Sequence, residues 1–243
     1  MKFYSLASGS KGNCFVILDQ DVQIEIDCGS TQRYLKQCFE QIQVDYLKTD
    51  GLLLTHSHID HISQLKMFRH ALIYTPFSID KEYRTQTVIP FESFYIRHMK
   101  ITPLPLSHDT EITVGYIFDN GKERLVYITD TGYVRQDYYE LLKNADYYIM
   151  ESNHDIPMLM NTQRPYSLKS RILSDMGHLS NEACAELLSV LVGENTKEIL
   201  LAHISEEANT EELALQTIRK NMRQYQPLIK AGKQRQITEG GTL

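Results

Sequence analysis

The chain has no apolar stretch long enough to cross a bilayer, no closely paired cysteines, no proline-rich or glycine-serine linker and no excess of positive charge. The first absence excludes a membrane-spanning helix, which needs about 20 consecutive apolar residues. The start, Met1-Lys2-Phe3-Tyr4-Ser5-Leu6-Ala7, runs straight into strand-like sequence and lacks the apolar core and cleavage context of a secretory signal. Together these set the expectation of a soluble, cytoplasmic chain. Cys14, Cys28, Cys38 and Cys184 lack the spacing of zinc ribbons or thioredoxin-like motifs and read as reduced, packed thiols. A net charge of −6 argues against bulk attraction to nucleic acid. It does not exclude such a substrate, because bound divalent ions would make a local site positive. With no linker and no internal repeat, the 243 residues are expected to form one structural unit.

Periodic apolar runs predict strands over Phe3–Leu6, Phe15–Leu18 and Val22–Ile26, then a helix capped by Ser30 that buries Leu35 and Phe39. Further strands are predicted at Leu72–Tyr74, Phe94–Leu106, Ile112–Phe118, Arg124–Ile128, Tyr147–Met150 and Glu198–Ala202, with a hairpin turn at Asn120-Gly121. Helices are predicted over Asp60–His70, around Ser78–Thr85, and over Gln136–Asn144, Tyr166–Ser174, Asn181–Leu191 and Glu211–Tyr225. Strands lead each half and helices follow. Two sheets packed face to face with helices outside would bury all of these runs.

One strand, Leu52-Leu53-Leu54, ends in Thr55-His56-Ser57-His58-Ile59-Asp60-His61, four potential metal ligands within six residues. His56 and His58 share a side if the chain stays extended, whereas Asp60 and His61 can open a helix and face elsewhere. That arrangement suits two adjacent ions better than one. Further ligand types sit at other strand ends: His108 after Ile101–Leu106, Asp130 after Leu125–Thr129, and His203 after Ile199–Ala202. Asp130 is suited to bridge two ions. Asp27, after Val22–Ile26, is either a turn carboxylate or a group that orients a metal-bound imidazole.

The cluster His56 to His61, with Asp27 before it and His108, Asp130 and His203 after it, resembles the metallo-β-lactamase superfamily along nearly the whole chain. The resemblance implies an α/β fold, a four-layer αβ/βα sandwich of two central mixed sheets flanked by helices, with metals at one edge. It also implies His56, His58 and His108 on one ion, Asp60, His61 and His203 on the other, and Asp130 between them. Antibiotic-hydrolysing members commonly carry cysteine where Asp130 stands, so a true lactamase is not expected. Leu6-Ala7-Ser8-Gly9-Ser10-Lys11-Gly12-Asn13-Cys14, Glu151-Ser152-Asn153-His154-Asp155 and Gly177-His178-Leu179-Ser180-Asn181 are similar to the YycJ/WalJ-type bacterial branch, associated with exonuclease activity on DNA. Transfer-RNA 3′-processing endonucleases show a second likeness, but no segment here matches their RNA-gripping arm. Asp130 and His203, about seventy residues apart, leave no room for an inserted β-CASP module.

The resulting expectation is a dinuclear metallohydrolase that cleaves phosphodiester bonds in nucleic acid, DNA ahead of RNA, using two divalent ions: zinc, or else manganese or iron. Asp60, His178 and Glu151 are the candidate catalytic residues, with Glu151 orienting a His178 that donates to the phosphate or leaving oxygen. Weaker substrate candidates are Ser10, Lys11 and Asn13, on a loop that is either a phosphate-binding nest or a plain turn, and His154, Lys169 and Arg171. Arg164 and Tyr166 join them as backbone-following and stacking candidates. Tyr133, Tyr138, Tyr139, Tyr147 and Tyr148 read as core or sheet-surface aromatics, and His70 and His98 as uninvolved. Rival functions are hydrolysis of a small thioester, lactone or phosphodiester, and a non-catalytic metal-binding regulator. A closed apolar recess would favour the small substrate and an open groove with basic walls the polymer.

Overall fold

A computed structural model describes residues 1–222 and 224–242. Fourteen strands among these residues form two seven-stranded sheets. The first comprises β1 (Lys2–Ala7), β2 (Cys14–Asp19), β3 (Val22–Ile26), β4 (Gly51–Leu53), β5 (Ile73–Thr75) and β6 (Thr85–Thr87), with β14 (Thr238–Gly241) returning to pair with β1. The second is built from β7 (Phe94–Ile96), β8 (Met99–Leu106), β9 (Thr113–Asp119), β10 (Arg124–Ile128), β11 (Tyr147–Glu151), β12 (Glu198–Ala202) and β13 (Leu228–Ala231). In each sheet an antiparallel meander leads into parallel strands: β3 to β6 in one, β10 to β13 in the other.

Strand alternation sorts the side chains into layers. Ile24 and Ile26 of β3 meet Leu125 and Tyr127 of β10 between the sheets. The outer face of the first sheet, with Val16, Leu52 and Leu54, is covered by Leu35 and Phe39 of α1 (Gln32–Gln41). Helices α6 (Asn181–Leu191) and α7 (Glu211–Asn221) cover Val126, Ile128, Ile199 and Leu201 on the other. This is the four-layer αβ/βα sandwich. No helix among the described residues is long and apolar enough to cross a membrane.

Several local expectations fail for identifiable reasons. No helix forms over Ser78–Thr85; Asp80 instead accepts the backbone N–H of Glu82 and Tyr83, making a turn that leads into β6. The helix expected over Asp60–His70 is only α2 (Ile59–Ile62) followed by a 3₁₀ turn at Leu65–Phe68, because the Gln64 N–H turns away to the Cys28 carbonyl. Thr31, not Ser30, caps α1, accepting from the Tyr34 N–H at 3.3 Å. The long strand Phe94–Leu106 is a hairpin, broken where Arg97 takes φ 52°. The helix over Gln136–Asn144 shrinks to α3 (Tyr139–Leu142) behind a 3₁₀ turn. That over Tyr166–Ser174 ends as α5 at Ile172. The last helix stops at Asn221, and Arg223 of its expected span lies outside the described residues. An unanticipated α4 (Ile156–Asn161) is capped by Asp155, which accepts the Met158 N–H at 2.8 Å.

Candidate metal centre

Strand register brings the ligand-type residues to one edge. Ile26 pairs with Leu53 and the Asp27 N–H extends that ladder to the Leu53 carbonyl, so Asp27 lies beside the β4 end that carries His56. Across the sandwich Ile128 pairs with Met150 and Glu151 with Ala202, which aligns Asp130, Glu151 and His203. Asp27, Asp130 and His203 all hold positive φ, at 58°, 58° and 56°. The left-handed region is uncommon outside glycine, though Asp and His enter it more readily than most, and it turns each chain out of its ladder at the ligand-type residue.

The segment after Asp27 clasps the ligand helix. Cys28 donates its N–H to the His61 carbonyl at 2.7 Å, and a Cβ on Gly29 would stand 1.5 Å from the Asp60 carbonyl oxygen. Only glycine permits that approach.

Five of the six imidazoles are tied outward by one nitrogen, which directs the other inward; His58 is the exception, with Nδ1 3.1 Å from His56 Nε2. His61 donates Nδ1–H to Asp27 Oδ2 at 2.7 Å. His56 Nδ1 lies 3.0 Å from Thr55 Oγ1, whose own hydrogen goes to Asp27 Oδ2 at 2.9 Å, so Asp27 fixes two histidines, one through a hydroxyl relay. His108 donates Nδ1–H to the Gly177 carbonyl at 3.1 Å. His203 and His178 place Nδ1 at 3.0 and 2.7 Å from Glu151 Oε1. The other oxygen of Glu151 accepts the Thr131 and Leu179 N–H groups, so this buried carboxylate is fully engaged. Four sets of ligand atoms converge to within 4.8 Å: His56, His58 and His108; His56, His61 and Asp130; Asp60, His61 and His203; and Asp130, Glu151, His178 and His203.

Asp130 Oδ2 and His203 Nε2 are buried without a hydrogen-bond partner. Leaving such groups unpaired costs about 1–3 kcal/mol each, and two of them among ligand-type side chains fit a cation site better than plain packing. The electrostatics agree. Burial disfavours charge on Asp130, yet the surrounding His203, His61, His56 and His178 hold its carboxyl well below the usual range. Burial also opposes charge on His61 and His203, but Asp27 and Asp130 push the first, and Asp130 and Glu151 the second, up to about 9. Desolvation leads for His56 and drives its pKa down. Glu151, despite burial, is brought to about 2 by His178 and His203. A surplus of fixed carboxylate that favours positive charge on His61 and His203 equally favours a divalent cation, which on binding would displace those protons and take the imidazole lone pairs.

The remaining candidates are distributed less simply. Ser10 is exposed at a loop tip. The N–H groups of Gly9, Lys11, Gly12 and Asn13 bond to Asn13 Oδ1, Gln234 Oε1, the Gly9 carbonyl and the Asp60 carbonyl. A loop so committed acts as a brace rather than a phosphate nest: Ser8 Oγ accepts the His203 N–H at 2.7 Å, and the Asn13 amide donates to His61 Nε2 at 2.9 Å. The Lys11 ammonium pairs with Glu206, and Lys169 caps the carbonyls of Met160 and Thr162 at 2.7 and 2.8 Å. Arg164 pairs with Glu207 at 2.8 Å. His154 is buried with neither ring nitrogen partnered, and desolvation lowers its pKa to about 4. Tyr138, Tyr147 and Tyr148 are buried, but Tyr133 is 43% exposed, against the expectation for that group. His70 and His98 lie apart, bonded to the Tyr46 carbonyl and to Asp19.

Sequence reasoning missed Thr55 and Asp109. Asp109 Oδ1 lies 3.5 Å from His58 Nε2 and 3.3 Å from His108 Nε2, and its other oxygen pairs with Arg171. The adjacency of Asp109 to His108 was the available signal. Thr55 offered none, since a hydroxyl relay depends on tertiary placement.

Two facing sheets with helices outside and a histidine-aspartate edge define the class: the chain belongs to the metallo-β-lactamase superfamily, and residues 23–204 match the family described as "Beta-lactamase superfamily domain". Within it the chain is of the YycJ/WalJ-like branch. It is 31% identical over 231 residues to exodeoxyribonuclease YycJ of Bacillus anthracis, covering 90% of this chain and 88% of that one. It is 32% identical over 232 residues to exodeoxyribonuclease WalJ of Streptococcus pneumoniae serotype 2 (strain D39 / NCTC 7466), covering 89% of this chain and 86% of that one. Among solved structures, the metallo-β-lactamase fold protein YhfI from Bacillus subtilis superimposes with a TM-score of 0.73 at 18% identity, over 98% of this chain and 99% of that one. The protein is a metal-dependent hydrolase.

Proposed function

We propose that this hydrolase is a dinuclear nuclease that removes nucleotides from DNA ends. The observation that carries the reading is the pair of buried atoms without hydrogen-bond partners, Asp130 Oδ2 and His203 Nε2, among imidazoles of which all but His58 are tied outward, in a chain similar to two exodeoxyribonucleases. His56, His58 and His108 would hold one ion, Asp60, His61 and His203 the other, with Asp130 shared between them. Bound divalent ions supply acidification of water towards neutral pKa and positive charge opposite the negative charge that develops on phosphoryl oxygens. Zinc suits the donors best, with manganese and iron as alternatives.

The protein's own groups do the rest. Glu151 fixes the His178 ring through Nδ1, which leaves Nε2 as the nitrogen that donates to a phosphate or leaving oxygen; the ring is 17% exposed and so reachable. The same carboxylate oxygen steadies His203. Asp60, 23% exposed beside His61, is the ligand nearest solvent on its side of the site. Two open cavities with mixed polar and apolar walls flank the centre; being open, they fit a polymer better than the closed apolar recess of a small acyl substrate would, while their walls carry only Arg135 and Lys81 as cations.

The test is cleavage of end-labelled duplex and single-stranded DNA after loading with zinc, manganese or iron. Stepwise loss of terminal nucleotides, abolished in Asp60→Ala, is expected. Absence of cleavage with every metal, or an Asp60→Ala variant as active as the parent, would refute the reading.

A further inference from the structure

We infer that the cavity beside His108 is the recess for the terminal nucleoside of the strand being degraded, an inference that rests on the nuclease reading above. The cavity encloses about 390 Å³ and is walled by Ser107, His108, Glu111, Tyr133, Arg135 and Met176, among others. Its volume falls within the range of sites that take small organic ligands, about 300–1,000 Å³. His108 is shared between cavity and candidate metal centre, so a nucleotide whose phosphate reaches the centre has its sugar and base at this opening.

The walls have the chemistry of a base site. Tyr133 and Met176, large side chains that folding ordinarily buries, are 43% and 45% exposed here. Both sit on closely packed backbone. A Cβ on Gly132 would stand 2.3 Å from the Asp175 carbonyl oxygen, so the Tyr133 loop is pressed against the segment carrying Met176. Ser107 Oγ donates to Met176 Sδ at 3.3 Å. Arg135 donates to Asp137 at 2.8 Å and lies over the Tyr138 ring at 5.7 Å from its centroid, a planar cation on the aromatic side of the cavity. An aromatic face with a guanidinium near it accepts any base by stacking.

Glu111 gives the recess its preference for an end. Its exposed carboxylate has no cationic partner among the described residues. A strand running on through the cavity would bring its next phosphate against that charge, whereas a terminal nucleoside brings none. The same residue lines a second cavity of about 710 Å³ on the Ser57 side, so its charge stands on the lip between the two.

Calorimetry on the metal-loaded protein with thymidine 5′- and 3′-monophosphate, against methyl phosphate, measures what the nucleoside adds. The parent is expected to prefer one thymidine nucleotide at least about tenfold, and Tyr133→Ala to lose about tenfold of that preference. Both are surface changes, so a second variant, Glu111→Lys, should gain cleavage of circular single-stranded DNA that the parent spares. No preference in the parent, or full preference kept in Tyr133→Ala, overturns the recess while leaving the nuclease reading intact. A circle as resistant in Glu111→Lys as in the parent overturns the end selection. Nucleotide preference that Tyr133→Ala removes, in a protein that cleaves no DNA, leaves the cavity a nucleotide site but refutes the nuclease reading and, with it, the cavity's role at a strand end.

Discussion

Replacing Asp27 with asparagine changes one oxygen to an amide nitrogen and should disable half of the centre. Asp27 Oδ1 accepts the Thr55 N–H at 2.9 Å, a bond asparagine keeps. Oδ2 accepts two hydrogens, from Thr55 Oγ1 at 2.9 Å and His61 Nδ1 at 2.7 Å, and an NH₂ group placed there opposes donor to donor. His61 can answer only by moving its proton to Nε2, which sets it against the Asn13 amide and removes the lone pair that an ion needs. Loss of such an outer partner costs about 10–100-fold in metal affinity. The site that includes His61 should therefore fall by that factor, about 1.4 kcal/mol for each tenfold. The His56 site, coupled only through Thr55, should fall less. In the metal-free protein the change is smaller, because burial already penalises the Asp27 carboxylate and raises its pKa; about 1–2 kcal/mol is expected. Zinc titration against a competing chelator resolves the two affinities, and urea unfolding in excess chelator gives the metal-free stability. Two ions bound at parental affinity by a folded Asp27→Asn protein would refute the tautomer argument.

Other perturbations act elsewhere. His178→Gln should lower kcat about 10²–10⁴-fold while metal stoichiometry, measured by elemental analysis, stays at the parental value; a loss of metal instead would make His178 a ligand. Gly29→Ala should displace the ligand helix, since its Cβ cannot stand 1.5 Å from the Asp60 carbonyl, and be seen as reduced metal uptake together with a lower melting temperature. Glu25 is buried, and desolvation lifts its pKa to about 8, opposed by hydrogen bonds from Gln23 and Thr49. A carboxyl raised in this way stays protonated when folded but ionises when unfolded, so stability falls as pH rises from about 4.5 to 8, by up to about 1.4 kcal/mol per unit. Urea midpoints of Glu25→Gln across pH 5–9 should lack that decline, and a parallel decline in both proteins would refute the assignment.

Much of the architecture was legible because the ladders are periodic and end abruptly. Runs such as Leu52-Leu53-Leu54 and Leu125-Val126-Tyr127-Ile128 stop at polar residues, and the register of β10, β11 and β12 then brings those residues to one edge. What stayed hidden depends on contacts between distant segments. The brace from Ser8 to His203 spans most of the chain, and the Thr55 relay needs β3 beside β4. Partners of charged residues were hidden for the same reason: Lys11, Lys169 and Arg171 look free in sequence, yet each has an intramolecular partner. Helix expectations failed where a local competitor such as Asp80 supplied the backbone with another partner.

The two sheets contribute to the centre in a particular way. His56, His58, Asp60 and His61 follow β4 in the first sheet, whereas His108, Asp130 and His203 follow strands of the second. Ions held as proposed would each take ligands from both, and so would act on the polypeptide as disulfides do, as removable cross-links closing loops of about fifty residues between His58 and His108 and well over a hundred between His61 and His203. Chelation would then open a seam rather than only empty a site. Amide exchange should quicken along the metal-side ends of β4, β10 and β12 while the centres of the same strands keep their protection.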